Sequence, residues 1–300
     1  MSEQGTLLPI DIADSVAVVT GGASGIGKGI VGALLRAGAA AVVADIEQGA
    51  IDETIAELAP VGSVSGWRTD ITDEASVKAL ADHVYATHGK VNLLFNNAGV
   101  TSGGGGKPWQ QEPNDWRWCF GVNVFGTAFC VSEFVPRMIE SGVPGQVVNT
   151  SSGDGGFAPV PTASVYASSK AAVSCFTEAL HHNLRSEGTQ LRASVFYPAG
   201  GLQRTGLFTA QRNRPEHLQR VGEATGRTSM TFDEMKAMLE RAGRDVNEAD
   251  LDAQGDFVVE ATIERRYIIT MDLRETVDLL HRRADAIGAF EVPPHHGWPG

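Results

Sequence analysis

The sequence predicts an α/β fold, with a doubly wound parallel sheet of about seven strands and helices on both faces. Short apolar runs recur along the chain at lengths that suit strands buried on both faces. Between them, apolar residues repeat at helical spacing, and several strand-like runs end in glycine or small polar residues. The alternation is continuous, so we expect one domain over residues 1–300. A helical lid is expected over about 202–255, where the pattern departs from a minimal fold of this kind.

A glycine-rich turn joins the first predicted strand to the first helix. Val16 to Val19 form an apolar run, Thr20 to Gly27 reads Thr-Gly-Gly-Ala-Ser-Gly-Ile-Gly, and apolar residues then recur at positions 30, 31, 34 and 35. Glycines let the backbone approach a pyrophosphate, and a helix N-terminus presents free N–H donors to it. The next strand, Ala41 to Ala44, ends at Asp45. An acid about 20 residues after such glycines hydrogen-bonds an adenosine ribose, so this segment predicts a Rossmann-type dinucleotide site.

Three later strands also end in small or polar residues. The apolar run at 93–95 leads into Asn96-Asn97-Ala98-Gly99, the run at 146–150 leads into Ser151-Ser152, and the run at 192–196 leads into Tyr197-Pro198. Ligands of open α/β sheets bind at the carboxyl ends of the strands. The polar residues are therefore expected to share one edge of the sheet, beside the dinucleotide.

Tyr166 and Lys170 are four residues apart, and Ser152 precedes them. Residues at this spacing share a helix face, with β-carbons about 5–6 Å apart. A phenol has an ordinary pKa near about 10, and a fixed cation beside it favours the phenolate. The pattern predicts a tyrosine whose pKa Lys170 lowers, so that it can exchange a proton with a substrate. Alone, Tyr-x-x-x-Lys would be no more than an amphipathic helix, but here it accompanies a dinucleotide site.

Together these motifs resemble the short-chain dehydrogenase/reductase family, in its single-domain branch with Tyr-x-x-x-Lys. The resemblance covers residues from about 12 to 200 and is loose beyond them. It depends on the glycine turn Thr20 to Gly27, Asp70, Asn96 to Gly99, Asn123, Ser152, Tyr166 and Lys170.

The resemblance implies a role for each matching residue. Tyr166 is the implied general acid/base, and Ser152 hydrogen-bonds the substrate oxygen. Lys170 lowers the pKa of Tyr166 and holds the nicotinamide ribose, and Asn123 anchors a water that links Lys170 to solvent. The implied cofactor-binding residues are Gly21, Ser24, Gly25, Ile26, Gly27, Asp45, Asp70, Ile71, Asn97, Ala98, Gly99, Tyr166, Lys170 and Pro198.

Asp45 favours NAD over NADP as the cofactor. A carboxylate at this position accepts from both ribose hydroxyls and repels a 2′-phosphate. NADP-preferring relatives place a basic residue before the final Gly-x-Gly of the turn, where this chain has Ser24, and Ile46 after Asp45 is not basic either.

Two departures from the family pattern concern the substrate side. Ser152 lies fourteen residues before Tyr166, one more than the commoner spacing of about thirteen, so Ser151 is the minor alternative. Pro198 is followed by Ala199-Gly200-Gly201 instead of glycine alone. The loop on the nicotinamide side is therefore expected to be remodelled, and no contact is assigned to Thr205.

The lid and the loop before Tyr166 predict the substrate class. The lid carries a helical pattern of Phe232, Met235, Met238 and Leu239, and Met-bearing surfaces adapt to bulky apolar ligands. We expect it to enclose a hydrophobic, bulky or aromatic secondary alcohol or its ketone. We also expect the same cavity to be lined by Phe157, Pro159, Val160 and Pro161, and its rim to be lined by Trp109. Segments 134–145 and 266–287 are similar to bacterial members of the family that oxidise benzylic alcohols of lignin-derived aryl ethers.

Charge and composition exclude several other classes. The net charge is −12 and the pI about 5.1, which disfavours nucleic acid and anionic membranes as partners. The start of the chain has no signal-peptide pattern, and no apolar run approaches the roughly 18 residues of a membrane span. Cys119, Cys130 and Cys175 are scattered, and His295-His296 is interpreted as a solvated tail. We therefore expect a cytoplasmic protein and assign no metal.

The resemblance also implies a homo-oligomer, a tetramer or a dimer, built through the long helices around Asn123–Ile139 and Tyr166–Leu184. Two other functions stay open at this point. A 3-oxoacyl-carrier-protein reductase has the same catalytic residues, but it prefers NADPH and offers a basic docking patch, which Asp45 and the acidic charge disfavour. A non-catalytic dinucleotide-sensing protein often lacks the tyrosine or lysine that this chain retains.

Overall fold

The computed structural model describes residues 7–102, 106–222 and 230–296. Within these residues the centre of the molecule is one seven-stranded sheet of order β3-β2-β1-β4-β5-β6-β7, and every neighbouring pair runs parallel. The predicted doubly wound parallel sheet is confirmed. Its strands are β1 (Val16–Thr20), β2 (Ala40–Asp45), β3 (Val64–Arg68), β4 (Leu93–Asn96), β5 (Gly145–Thr150), β6 (Leu191–Phe196) and β7 (Ile268–Ile269).

Helices cover both faces of the sheet. Alternate strand residues point to opposite faces, so Val19 packs in one core with α1, α2 and α9, and Val18 packs in the other with α3, α5 and α7. The helices are α1 (Gly25–Arg36), α2 (Gln48–Leu58), α3 (Glu74–His88), α4 (Pro113–Phe120), α5 (Thr127–Ser141), the single turn α6 (Gly153–Gly156), α7 (Ser164–Ser186), α8 (Phe232–Arg241), α9 (Leu251–Ile263) and α10 (Arg274–Gly288).

Helices α1 and α9 cross at two glycines. A β-carbon on Gly255 would lie 2.2 Å from the carbonyl oxygen of Gly29, and one on Gly29 would lie 2.3 Å from that of Leu251. Real β-carbons do not approach oxygens so closely, so both positions require glycine. This backbone contact sets the position of α1, whose N-terminus faces the dinucleotide site.

Helices α4 and α5 are continuous through a π-helical stretch, Gly121–Gly126. By length and composition alone, the combined helix Pro113–Ser141 could span a membrane, and half of its most apolar window is buried inside the protein. Phe134 and Met138 of this helix are fully buried against the sheet. Packing in the core therefore accounts for its apolar composition.

The predicted lid leaves and rejoins the domain at one point. The amide of Leu202 donates to the Asn247 carbonyl at 2.8 Å, and the Ala249 amide donates to the Leu202 carbonyl at 2.9 Å. Residues 202–250 thus form an excursion whose ends are joined, and it contains 3₁₀ turns at Gly206–Asn213 and Glu216–Leu218 and helix α8. Positions 223–229 of the predicted lid lie outside the described residues. Its last predicted residues, from Leu251, begin α9 and belong to the core.

Candidate active site

A cavity of about 890 Å³ opens at the carboxyl ends of the strands. The glycine turn, the polar ends of β2, β4 and β5, the start of α7 and the lid all line it. Parallel strands bring their carboxyl ends to the same edge, which is why residues far apart in sequence meet here.

The glycine turn has the geometry of a phosphate cradle. Gly25 has φ +56°, a left-handed conformation that favours glycine. A β-carbon on Gly27 would lie 2.1 Å from the Gly21 carbonyl oxygen. Asn97 donates from Nδ2 to the carbonyls of Thr20 and Gly21, at 3.2 and 3.3 Å, and so joins the end of β4 to the turn. These residues fit a dinucleotide pyrophosphate, since backbone can approach where no side chain intervenes.

Asp45 ends β2 and faces the same cavity. Its carboxylate accepts from the backbone amides of Ala23 and Glu47, each at 3.2 Å. Burial raises the pKa of Asp45, although these hydrogen bonds act to lower it. The two amides fix the carboxylate beside the glycine turn, where the ribose of a dinucleotide would be held.

Ser152 and Tyr166 meet at the end of β5. The Ser152 side chain caps the turn α6 by accepting from the Asp154 amide at 3.2 Å, and it shares a hydrogen bond with the Tyr166 hydroxyl. The hydroxyl of Ser151 instead donates to the Lys170 carbonyl at 2.8 Å. The geometry therefore favours Ser152 over Ser151 as the partner of Tyr166.

Lys170 lies one helical turn after Tyr166 on α7 and is 4% exposed. Its Nζ atom lies 5.8 Å from the centroid of the Tyr166 ring and donates to the Thr150 carbonyl at 2.8 Å. A β-carbon on Gly99 would approach Nζ to 3.3 Å, so the glycine leaves room for the ammonium. The expected pairing of the two side chains along one helix face is present.

The pKa of Tyr166 differs in direction from the sequence-based expectation. Burial raises it and the charge of Asp154 adds to the rise, while the hydrogen bond from Ser152 acts in the opposite direction. Burial also lowers the pKa of Lys170 to about 8. Spacing on a helix predicts proximity, but the low dielectric around both groups disfavours their charged forms and determines the direction of both shifts.

Asn123 lies in the π-helical stretch and is 1% exposed. Its side chain accepts from the Val100 amide at 2.8 Å, and it donates to the Val100 carbonyl at 3.0 Å and to Ser169 Oγ at 2.9 Å. Asn123 thus joins the loop after β4 to helix α7, one residue before Lys170. Its role as the anchor of a water stays a prediction.

Most of the predicted site residues line one cavity. Asn123 and Gly27 lie just behind its wall and support it. The predicted residues on the wall are Gly21, Ser24, Gly25, Ile26, Asp45, Asp70, Ile71, Asn97, Ala98, Gly99, Ser152, Tyr166, Lys170 and Pro198.

The lid contributes to an apolar wall of the cavity that Tyr166 also lines. Of the residues expected there, Val160, Met235 and Met238 line the cavity, whereas Phe232, Leu239, Pro159 and Pro161 are not among its lining residues. Phe157 instead packs against the Tyr197 ring, with centroids 4.1 Å apart, and Trp109 is 78% exposed away from the cavity. Further apolar residues that the sequence did not single out also line this wall: Trp118, Leu202, Leu207, Phe208, Leu218 and Met230.

Sequence reasoning also missed the contacts that anchor the lid. Asp115 of α4 is fully buried and pairs with Arg214 at 3.0 Å and with Arg220 at 2.8 Å. Glu47, which follows β2, pairs with Arg212 and accepts from Asn213 at 2.8 Å. Each contact joins residues about a hundred or more positions apart, so neither periodicity nor local motif could have identified it.

The interpretation of His295-His296 as a solvated tail is wrong for His296, which bonds to the loop after Ser152 at two places, whereas His295 is exposed. The His296 amide donates to the Pro159 carbonyl at 3.2 Å, and its ring Nε2 donates to the Gly153 carbonyl at 3.1 Å. Arg283 of α10 donates to the Pro294 carbonyl and holds this segment in place.

Comparison with known proteins places the chain among dehydrogenases. The chain is 38% identical to the C alpha-dehydrogenase of Sphingobium sp. (strain NBRC 103272 / SYK-6), over 68% of this chain and 66% of that protein, just under two thirds of its length. It is 35% identical to the 1-deoxy-11-beta-hydroxypentalenate dehydrogenase of Streptomyces avermitilis, over 73% of this chain and 77% of that protein.

Two solved structures agree with this one, one of them over nearly the whole length of the chain. A short chain dehydrogenase/reductase from Burkholderia phymatum, in complex with NAD, superposes with a TM-score of 0.85 at 35% identity and covers 96% of this chain and 99% of its own. A metagenomic short-chain oxidoreductase in complex with NADP has a TM-score of 0.58 at 30% identity, over 64% of this chain and 85% of its own. The family model described as short chain dehydrogenase matches residues 15–215. The chain therefore belongs to the short-chain dehydrogenase/reductase family.

Proposed function

We propose that this protein interconverts hydrophobic, bulky or aromatic secondary alcohols and their ketones, with NAD as the cofactor. The observation that carries the proposal is that Ser152, Tyr166 and Lys170 line the same cavity as the glycine turn and Asp45. Proton transfer and dinucleotide binding can therefore occur side by side.

Asp45 supports NAD as the cofactor. The glycine turn would hold the pyrophosphate, Asp45 the adenosine ribose and Lys170 the nicotinamide ribose. Ser24 and Ile46 line the cavity at the two positions where a basic residue would favour a 2′-phosphate. When bound, the nicotinamide gives or takes the hydride, and the chain supplies orientation and proton transfer.

Tyr166 moves the proton. Because its pKa is raised, the phenol is protonated at neutral pH and can donate from its hydroxyl to a ketone oxygen. In alcohol oxidation the Tyr166 hydroxyl would first lose its own proton, and the phenolate oxygen would then accept the hydroxyl proton of the substrate. Ser152, already hydrogen-bonded to Tyr166, would hold the substrate oxygen at this position. Lys170, with a pKa of about 8, is the neighbouring group that can exchange protons near neutral pH.

The lid supports a bulky apolar substrate. The lid residues Phe208, Met230, Met235 and Met238 line the same cavity as Tyr166, together with Trp118 of α4. Thioether side chains repack around rings of different shape. The name of one relative, a 1-deoxy-11-beta-hydroxypentalenate dehydrogenase, also refers to a substrate that carries a hydroxyl group.

A substrate panel tests the proposal. Aryl secondary alcohols, small aliphatic alcohols and polyols are each supplied with NAD and with NADP, and reduced nicotinamide is followed by absorbance. The aryl secondary alcohols with NAD should give the highest kcat/KM. Turnover only with NADPH and a carrier-linked 3-oxoacyl thioester would instead indicate a reductase of fatty-acid type, and dinucleotide binding without any turnover would indicate a sensor.

Tyr166→Phe is the matched variant for this panel. It keeps the ring and its packing but removes the proton donor, so turnover should fall by roughly 10²–10⁴ or more. Cofactor affinity, measured by fluorescence titration with NADH, should stay near the wild-type value because the glycine turn and Asp45 are unchanged. Near-normal turnover would show that the proton passes through another group.

A further inference from the structure

One segment of the lid crosses from the glycine turn to the end of β2. At one end, a β-carbon on Gly25 would lie 3.0 Å from the Thr205 side chain, and one on Gly206 would lie 3.5 Å from Ser24 Oγ. At the other end, Glu47 accepts from Arg212 Nε at 3.3 Å and from Asn213 Nδ2 at 2.8 Å. The segment 205–213 therefore bridges the two elements that contact a dinucleotide.

Arg212 also stiffens the segment that it anchors. Its guanidinium donates to the Thr209 carbonyl at 3.0 Å, to Thr209 Oγ1 at 2.7 Å and to the Gly206 carbonyl at 3.3 Å. These hydrogen bonds join Arg212 to the 3₁₀ turn, and the contact with Glu47 joins Arg212 to the start of α2. Residues of the segment 205–213, Glu47 and Asp45 all line the same cavity.

We propose that Glu47 closes a clasp with Arg212 and Asn213 over the cofactor cleft, and that opening of this clasp sets the rate at which the dinucleotide leaves. The inference rests on the proposed function, since it assumes a dinucleotide in the cleft. It assigns a positioning role to Glu47 and Arg212, which neither motif nor family resemblance singled out.

The strength of the clasp is suited to gating. The hydrogen bond from Arg212 lowers the pKa of Glu47, so the carboxylate stays charged at neutral pH. The Arg212 side chain is 41% exposed and the Glu47 side chain is 35% exposed, so water and salt screen the pair. A partly exposed ion pair with one further hydrogen bond corresponds to roughly a 10-fold change in an equilibrium or rate. The clasp can therefore hold the segment closed without locking it.

Glu47→Ala and Arg212→Met test the proposal. Glu47 is the N-cap residue of α2, but its side chain makes no capping bond, so the helix start does not depend on it. Glu57→Ala is the matched control, because Glu57 lies on the same helix and pairs with Lys28 outside the cavity. The dissociation rate of NADH is measured by stopped-flow displacement at low and high salt.

Each clasp variant should release NADH roughly 10-fold faster, and the double variant should fall well short of the roughly 100-fold product of the two, because the Glu47–Arg212 contact is lost only once. Salt should accelerate release from the wild type and from Glu57→Ala, but not from Glu47→Ala. Hydrogen exchange of 205–213 should quicken in Glu47→Ala. An unchanged dissociation rate with unchanged exchange would overturn the clasp while the proposed function stands. A wild type that binds neither NADH nor NADPH would overturn the proposed function and the clasp's role with it.

Discussion

At the scale of single residues, the candidate active site combines two groups, Tyr166 and Lys170, whose charged forms are destabilised by burial. Lys170 is almost fully buried, and its Nζ atom donates to the Thr150 carbonyl. Removing a cation from water costs free energy unless a partner in the protein replaces the lost interactions with water. In the function proposed above, this cost is compensated by a lysine that titrates near neutral pH and can exchange a proton.

This burial predicts a pH dependence of stability. The folded pKa of Lys170 is about 8, below the ordinary 10.5, so between these values the unfolded chain binds a proton that the folded protein has released. Stability therefore rises with pH in this window. Tyr166 has the opposite effect, because its raised pKa makes stability fall once the pH exceeds its ordinary value of 10.0.

Lys170→Met isolates this contribution between pH 8 and pH 10. The difference in free energy of unfolding between the wild type and the variant should increase in favour of the wild type as the pH rises. The increase should be up to roughly 1.4 kcal/mol per pH unit, since one proton is involved. Urea denaturation at both pH values measures the difference. Lys78→Met, which removes an exposed lysine from α3, controls for the loss of positive charge. A constant difference between wild type and Lys170→Met would contradict the prediction.

Asp45 carries a second prediction at this scale. The double variant Asp45→Ala, Ile46→Arg should use NAD less well and NADP better than the wild type, because the repulsion of a 2′-phosphate is replaced by attraction. The ratio of the kcat/KM values for the two cofactors should shift by roughly 10- to 100-fold. Asp45→Asn is the milder control, since an amide oxygen can still accept from the Ala23 amide. A wild type that already prefers NADP by a wide margin would refute the role of Asp45.

At the scale of elements, the crossing of α1 and α9 predicts opposite effects for two glycines. Gly255→Ala should destabilise the protein by roughly 1–3 kcal/mol or more, because its β-carbon meets the Gly29 backbone. Gly49→Ala, on α2 with nothing within 4 Å, should be neutral or stabilise by up to about 1 kcal/mol. Denaturant unfolding of both variants checks this, and equal effects would contradict the close packing.

Local patterns account for what the sequence could predict. The strand at Val16–Thr20, the glycine turn and the pair Tyr166 and Lys170 depend on neighbours a few residues away, and a parallel sheet necessarily brings strand ends together. The lid contacts depend on distant residues instead: Glu47 and Arg212 are 165 positions apart. The raised pKa of Tyr166 escaped prediction for a similar reason, since burial is a property of the assembled core.

At the scale of the whole molecule, we predict a homo-oligomer, most simply a tetramer. Helix α7 turns Phe176 and Leu180 toward the core and leaves Ala171 and Ala179 exposed, and Ile139 at the end of α5 is 42% exposed. Light scattering at micromolar concentration should give about four times the chain mass of 31.8 kDa. Ala179→Arg should lower that mass if α7 forms the interface, and a monomeric wild type would contradict the prediction.

The contact between His296 and the loop after Ser152 has a practical consequence. The His296 ring lies beside the Gly153 carbonyl, one residue after Ser152. A bulky group attached at position 296 is therefore expected to press on the loop that begins at Ser152 and to change the kinetics of the enzyme. A small fluorescent dye at the same position would instead act as a reporter, because its emission would respond to any change in the conformation of that loop.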